Sequence, residues 1–433
     1  MEVAFHNSKG SGAYKWWLLA FLFVTFFLEQ GTRQIYNAAL PQIRLDFLKY
    51  GVSDAQLGMV GTVFGAVFGF SLVGSGLAAD FLGRKRVLVV GTLLFSLGVC
   101  GSGFASGLAC LIACYGVMNA LGQCCVAPPC YSLISQHHGA DTRSTAMAIF
   151  QSAVYVGVIL SSVFAGRLAE MGEGGWRWAF WIMGGLGVIW AIVMQLFMRN
   201  TPQPSAEGEK PSMKEAFLAL LRKPTAILIA VAFGTFIYAQ LGIRLWTPLY
   251  LVREFPDVGI AKAAFHSVIW LNLGSTAGAF VTARLIDRFG TNRPSIRLEV
   301  SALGFLLCIL PVVWVAKSHD FVGCCLALGA LGVMMGVYDA SHYPAMFDCI
   351  APRYRSATTG LTGCWAYVFG SAAPAVLGWM SERFSMRTGF LSLSVFYFAG
   401  VLVLLPAILH FFRKDYIKQE DGRWCAKQAW LNL

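Results

Sequence analysis

Four charged side chains lie well inside the long apolar runs of this chain. Glu29 and Arg33 fall in the run 16–40, Arg244 in 224–252 and Asp339 in 319–349. An ionised group in hydrocarbon costs roughly 2.5–3.5 kcal/mol even on the lenient insertion scale. Each therefore reads as functional, either binding a charged solute or carrying a proton. Glu29 and Arg33 are four apart and share a helix face, which Asn37 continues and Tyr36 flanks. Gln240 and Arg244 have the same spacing, with Tyr238 and Trp246 near. A guanidinium suits carboxylate or phosphate and stays charged when desolvated, so Arg33 and Arg244 are candidate anion ligands. The bland alternatives are that Arg33 merely neutralises Glu29 and that Arg244 snorkels to the surface.

Asp339 sits in Tyr338-Asp339-Ala-Ser-His342-Tyr343-Pro344, with His342 and Tyr343 one turn on. A carboxyl in a low-dielectric setting can exchange its proton near neutral pH. Asp339 or Glu29 is thus the candidate proton carrier, with His342 as partner. Against this stand a structural acid bonded to a neighbouring helix and a histidine satisfied within the bundle. Gln123 (beside Asn119), Gln151, Tyr155, Trp270, Asn272 and Trp365 (beside Tyr367) occur at compatible heights and complete a candidate pocket for a polar, sugar-like solute. Any one of them could instead serve helix packing.

The elements that must position these residues are membrane helices. Of 433 residues, 57% are hydrophobic and 13% charged, against roughly 25% charged in a soluble domain. Runs of about 20 apolar residues, enough to span a bilayer, recur along the chain. They predict spans at 16–40, 54–79, 86–106, 108–135, 144–169, 176–198, 224–252, 262–286, 296–317, 319–349, 355–382 and 389–412. With helices so placed, 22 of the 33 Lys and Arg fall on one side and nine on the other, while Arg33 and Arg244 lie inside. That bias puts the richer side and both termini in the cytoplasm. The net charge of +11 therefore reports topology and excludes a nucleic-acid partner. The 12 cysteines show no metal spacing and read as small packing residues, and Glu29 and Arg33 argue against a cleaved signal. No metal or cofactor is expected.

A polar stretch at 199–223 divides the spans six and six. The expected organisation is an N-terminal bundle at 1–198, this linker, a C-terminal bundle at 224–412 and a tail at 413–433. An internal repeat supports the division. Asp80-Phe-Leu-Gly83-Arg84-Lys85-Arg86 matches Asp287-Arg-Phe-Gly290-Thr-Asn-Arg293 at an offset of 207, as Pro41 matches Pro248. Arg143-Ser-Thr-Ala matches Arg355-Ser-Ala-Thr at an offset of 212. The offset of 207 places Asn37 opposite Arg244, so the two arginines are symmetric to within one helical turn, about 5.4 Å.

Gly76-Leu-Ala-Ala-Asp80-Phe-Leu-Gly83-Arg84-Lys85 resembles the signature loop of the major facilitator superfamily, with its weaker copy after the eighth span. The resemblance implies an all-α membrane fold of twelve helices in two pseudo-symmetric six-helix bundles. It also implies a cytoplasmic gate made by this loop, its repeat, Arg143 and Arg355. Arg33-Gln-Ile-Tyr-Asn-Ala-Ala-Leu-Pro41 is similar to the first helix of organophosphate:phosphate antiporters and anion:cation symporters, where the Arg contacts an anionic substrate. Departures are Gln240, where the antiporters carry a second Arg, Val154 in place of their His, and Gln123 where the anion:cation and spinster-like branches carry a Glu.

The expected activity is secondary transport of a small organic anion, a sugar acid or other carboxylate, coupled to protons across the cell inner membrane by a monomer. The alternatives are export of amphipathic compounds or lysolipids and exchange of phosphorylated substrates. Nothing in the sequence supplies the nucleophile or metal set of an enzyme. Substrate identity, coupling ion and direction stay open.

Overall fold

The computed structural model describes residues 11–138, 142–200, 213–289, 295–351, 354–417, 419–420 and 423–424. Among them are twelve long helical stretches, numbered here in chain order. Helix 1 is Ser11–Leu48, helix 2 Asp54–Leu82 and helix 3 Arg84–Gly103. Helix 4 covers Leu108–His137, with a π-helical segment at Ile112–Asn119 and a turn at 124–126. Helix 5 is Arg143–Ala169 and helix 6 Gly175–Phe197. A short linker helix, Met213–Leu221, leads to helix 7 at Pro224–Glu254, helix 8 at Ile260–Phe289, helix 9 at Ile296–Lys317 and helix 10 at Phe321–Phe347. Helix 11 is Arg355–Gly370 continued by Ala372–Arg383, and helix 12 runs from Met386–Pro406 through a π turn into Phe412–Asp415. A two-residue antiparallel pair, Gln419–Glu420 with Arg423–Trp424, follows.

Ten of these helices are long and apolar enough to cross a membrane. Helices 1 and 8, of 38 and 30 residues, have the length but carry more polar and charged residues. Helix 1 continues to Leu48, well past the end at 40 expected from its apolar run. The extension is amphipathic: Ile43 and Phe47 are buried while Leu45 and Leu48 are exposed. Its charges also find partners. Arg44 Nε meets Asp54 at 2.6 Å, and Asp46 accepts from the Trp176 indole at 2.7 Å. Hydropathy falls where those charges begin, but the backbone stays helical. The other expected ends agree with the helices to within a few residues.

Local chemistry explains the ends. Ser53 caps helix 2 in a reciprocal arrangement with Gln56, satisfying two orphan N–H groups. Asp320 and Ser385 cap helices 10 and 12. Gly83 joins helices 2 and 3 at φ 91°, a conformation that glycine adopts without a Cβ clash.

Packing partners repeat at a shift of six helices. Helix 1 packs on helix 5 as helix 7 does on helix 11, and helix 3 on helix 6 as helix 9 does on helix 12. Across the two sets, helix 2 lies along helix 11 and helix 5 along helix 8. Small residues allow the closest approaches. A Cβ at Gly278 would stand 2.0 Å from the Val333 carbonyl oxygen, and one at Gly336 2.0 Å from that of Ser275. Gly278→Val should therefore force helices 8 and 10 apart at a cost of about 1–3 kcal/mol. Thermal unfolding of the purified protein should show a midpoint several degrees lower; an unchanged midpoint would mean the two helices are not in such close contact.

Polar contacts across the seam gather at the end of the molecule bearing the turns near 50, 172 and 257. Asp54 accepts from Arg253 Nη2 at 2.6 Å and Ser381 Oγ at 3.1 Å, besides Arg44. The Ala55 amide donates to Glu382 at 3.1 Å and the Ala261 amide to Glu170 at 2.9 Å. Somewhat deeper, the Ala375 amide donates to Thr62 Oγ1 and Ser162 Oγ to the Ala264 carbonyl. On the same end Lys49 pairs with Glu173 at 2.6 Å. The hydrogen bond between them raises the lysine pKa and lowers that of the glutamate.

Candidate functional site

Helix 1 brings Glu29 and Arg33 together one turn apart, with Nη2 2.6 Å from Oε1. The carboxylate is 2% exposed, and its second oxygen accepts from Gln30 Nε2 at 2.6 Å. Arg33 Nε donates to Gln123 Oε1 at 2.8 Å. Gln123 Nε2 in turn donates to Asn119 Oδ1 at 2.9 Å. The rings of Phe64 and Phe68 stand 5.5 and 4.6 Å from the guanidinium carbon, within cation–π range. Tyr115 OH donates to the Arg33 carbonyl at 2.7 Å. This knot satisfies Glu29 fully and leaves Arg33 Nη1 without a partner among the described residues. Gln123 and Asn119 are both buried, so they orient Arg33 rather than line an opening.

Arg244 is held differently. It is exposed to the interior cavity, as is Asp339 on helix 10, and neither forms an ion pair among the described residues. The groups whose charge or dipole Arg244 feels are Tyr367, Asp339, Arg33 and Tyr155, drawn from helices 11, 10, 1 and 5. The tertiary fold thus gathers Arg33, Arg244, Asp339 and Tyr155 around one space. His342 turns elsewhere: it is 4% exposed and stacks at 4.6 Å on Phe233 and 4.9 Å on Tyr338. Neither ring nitrogen has a hydrogen-bond partner of good geometry among the described residues.

Beside Arg244 lies a small cleft, lined on its polar side by Gln34, Gln240, Arg244, Ser267, Asn272 and Ser275. Gln240 and Asn272 were anticipated from the sequence; Gln34, Ser267 and Ser275 were not. Spacing gave no cue for Gln34, which sits one residue from Arg33 and so points off its face. Asn37 reaches this group through its amide, which donates to Gln34 Oε1 at 3.2 Å. Tyr36 is enclosed, its hydroxyl bonded to the Leu57 carbonyl at 2.8 Å. Gln151 accepts from Tyr131 OH at 3.2 Å, and Trp270 donates to His266 Nδ1 at 2.8 Å. Trp365 is 45% exposed and stacks on Phe369.

Of the loop residues, Arg84 bonds Gln136 and Lys85 Nζ donates to the Gln195 carbonyl at 2.9 Å. Both contacts are to helices among the first six. Arg355 Nη2 donates to the Phe347 carbonyl at 2.8 Å, where a cation complements a helix C-terminus. Gly290 and Arg293 lie outside the described residues, and for Gly76, Asp80, Arg143 and Asp287 only the helical backbone is described.

A bundle of apolar helices around a charged interior space is the architecture of a membrane transporter. The family model "Major Facilitator Superfamily" matches residues 22–374, and the chain belongs to that family of multi-pass membrane transporters. It is 24% identical to the "Cis,cis-muconate transport protein" of Acinetobacter baylyi, over 94% of this chain and 97% of that protein. It is 23% identical to the "Probable hexose phosphate transport protein" of Chlamydia pneumoniae, over 91% of each. Among solved structures, a bacterial homolog of the human lysosomal transporter Spinster, inward-facing and unoccupied, superposes with a TM-score of 0.82 at 19% identity. It covers 96% of this chain and 100% of that one.

Proposed function

We propose that the protein is a proton-coupled secondary transporter of a small organic anion, a sugar acid or other carboxylate. In this reading it crosses the inner membrane twelve times, with both termini in the cytoplasm, and works as a monomer. The observation that carries the reading is Arg244: a guanidinium facing the central space with no carboxylate in ion-pair contact among the described residues. Such a charge calls for an anionic occupant, and Arg33, fixed by Glu29 and Gln123, adds positive potential on the opposite wall. Relatives named for muconate and hexose phosphate transport support an anionic cargo. Residues 1–198 and 224–412 act as two halves, joined by 199–223, that rock about the occupied site. In this reading the end held by contacts through Asp54, Glu170 and Glu382 is the outer one, closed in this state, and exchange with the cytoplasm takes place from the other end. The signature loop and its repeat close that side in the alternate state.

The substrate class is tested by thermal shift of the purified protein with muconate, gluconate, glucose 6-phosphate and uncharged glucose. Stabilisation by an anion and none by glucose is expected. A response to glucose alone would overturn the reading.

Asp339, exposed to the same space and without an ion pair among the described residues, is the proposed proton carrier. One pH unit can drive about tenfold accumulation per coupled proton. Asp339→Asn should reduce gradient-driven accumulation in proteoliposomes to about unity while counterflow exchange continues. Undiminished accumulation would make Asp339 structural.

A further inference from the structure

The cleft beside Arg244 contains a donor that the protein leaves unused. Gln34 is 5% exposed, lines the cleft, and its Nε2 has no hydrogen-bond partner among the described residues. Its orientation is fixed, because Oε1 already accepts from Asn37 at 3.2 Å. Buried amide donors are rarely left unpaired, and one that is so left calls for an explanation. Across the cleft the polarity is reversed. Asn272 Nδ2 donates to the Val268 carbonyl at 2.7 Å, which turns the amide oxygen of Asn272 into the available group. Ser267 Oγ donates to the Ala264 carbonyl at 2.8 Å and so can offer a bound molecule only its lone pairs. Gln240 and Ser275 also line the cleft; the groups whose bonding is already fixed are one neutral donor and two neutral acceptors, next to a cation. A carboxylate oxygen can only accept and would leave Asn272 and Ser267 unmatched. A hydroxyl both donates and accepts.

Resting on the anion reading above, we infer that this cleft is a hydroxyl-reading subsite. Gln34 donates to a substrate hydroxyl and Asn272 or Ser267 accepts from it, while Arg244 holds the adjoining carboxylate. The cargo is accordingly a hydroxylated carboxylate, and Gln34 is a specificity-determining residue. A site built to hydrogen-bond a hydroxyl rejects the analogue lacking it, because its own buried groups are then left unpaired.

The test is isothermal titration of the purified full chain with two matched pairs, gluconate against hexanoate and malate against succinate. The wild type is expected to bind the hydroxylated member of at least one pair roughly tenfold or more tightly. Gln34→Leu should bring that ratio to about one, chiefly by weakening the hydroxylated member. Asn272→Leu should do the same, should Gln34→Leu fail to fold. Equal affinities within both pairs in the wild type would overturn the subsite and leave the anion reading standing. So would a ratio that survives both substitutions. Binding of none of the four would overturn the anion reading, and the subsite with it.

Discussion

Arg244→Gln is expected to lower uptake of the anionic substrate by roughly 100-fold, equivalent to about 2.8 kcal/mol of lost binding. Glutamine keeps hydrogen-bonding capacity and most of the volume, so the loss isolates the charge. Arg244 forms no ion pair among the described residues, and its removal strands no carboxylate within bonding reach. The variant should therefore fold and insert as the wild type does, with elution profile and thermal midpoint as controls. Arg33→Ala should also abolish uptake, but for a mixed reason. It leaves Glu29, only 2% exposed, without its ion pair, and breaking such a pair destabilises through the uncompensated charge. The double variant Glu29→Gln/Arg33→Ala removes that charge as well and should recover stability without recovering transport. Normal uptake by Arg244→Gln would sink the role given to this side chain.

The second large effect is expected at the opposite end of the cavity. Asp54 is 4% exposed and receives two guanidinium bonds of 2.6 Å, one from Arg44 on its own side of the seam and one from Arg253 across it. Asp54→Ala leaves those two cations facing each other. Removing one member of a buried ion pair can cost 3–5 kcal/mol. The arginines are about a quarter exposed, with side-chain accessibilities of 26% each, so a discounted figure of about 2 kcal/mol is appropriate. That shifts the balance between closed and open forms of this end by roughly 30-fold. Spin labels at Tyr50 and Phe384, exposed turn residues on either side of the seam, report the change as a longer component in their distance distribution. Labels carried by genetically encoded amino acids leave the native cysteines in place. An unchanged distribution would mean that Asp54 does not hold this end shut.

Much of this protein was legible before any coordinates. Helix positions followed from apolar runs because a bilayer leaves spanning backbone few options beyond the helix. The family followed from Gly83 and its neighbours: the one-residue connection at φ 91° is a local requirement, written locally. Glu29 and Arg33 were readable as a pair because four residues make one turn. Helix 1 exceeded its expected end because hydropathy registers single residues, whereas Arg44 is paired by Asp54 and Asp46 is hydrogen-bonded by Trp176, both from other elements.

By itself the sequence determined the helices, their family and the presence of four charges that hydrocarbon would not tolerate. Only the tertiary structure decided what those charges face. It closed Glu29 and Arg33 into a knot with Gln123, turned His342 into an aromatic layer, and left Arg244 and Asp339 open to the same space. It also set Gln34 in the lining of a cleft formed with helices 7, 8 and 10. The reason is geometric: helical spacing fixes which side chains share a face, while the neighbour of that face is set by packing between segments hundreds of residues apart.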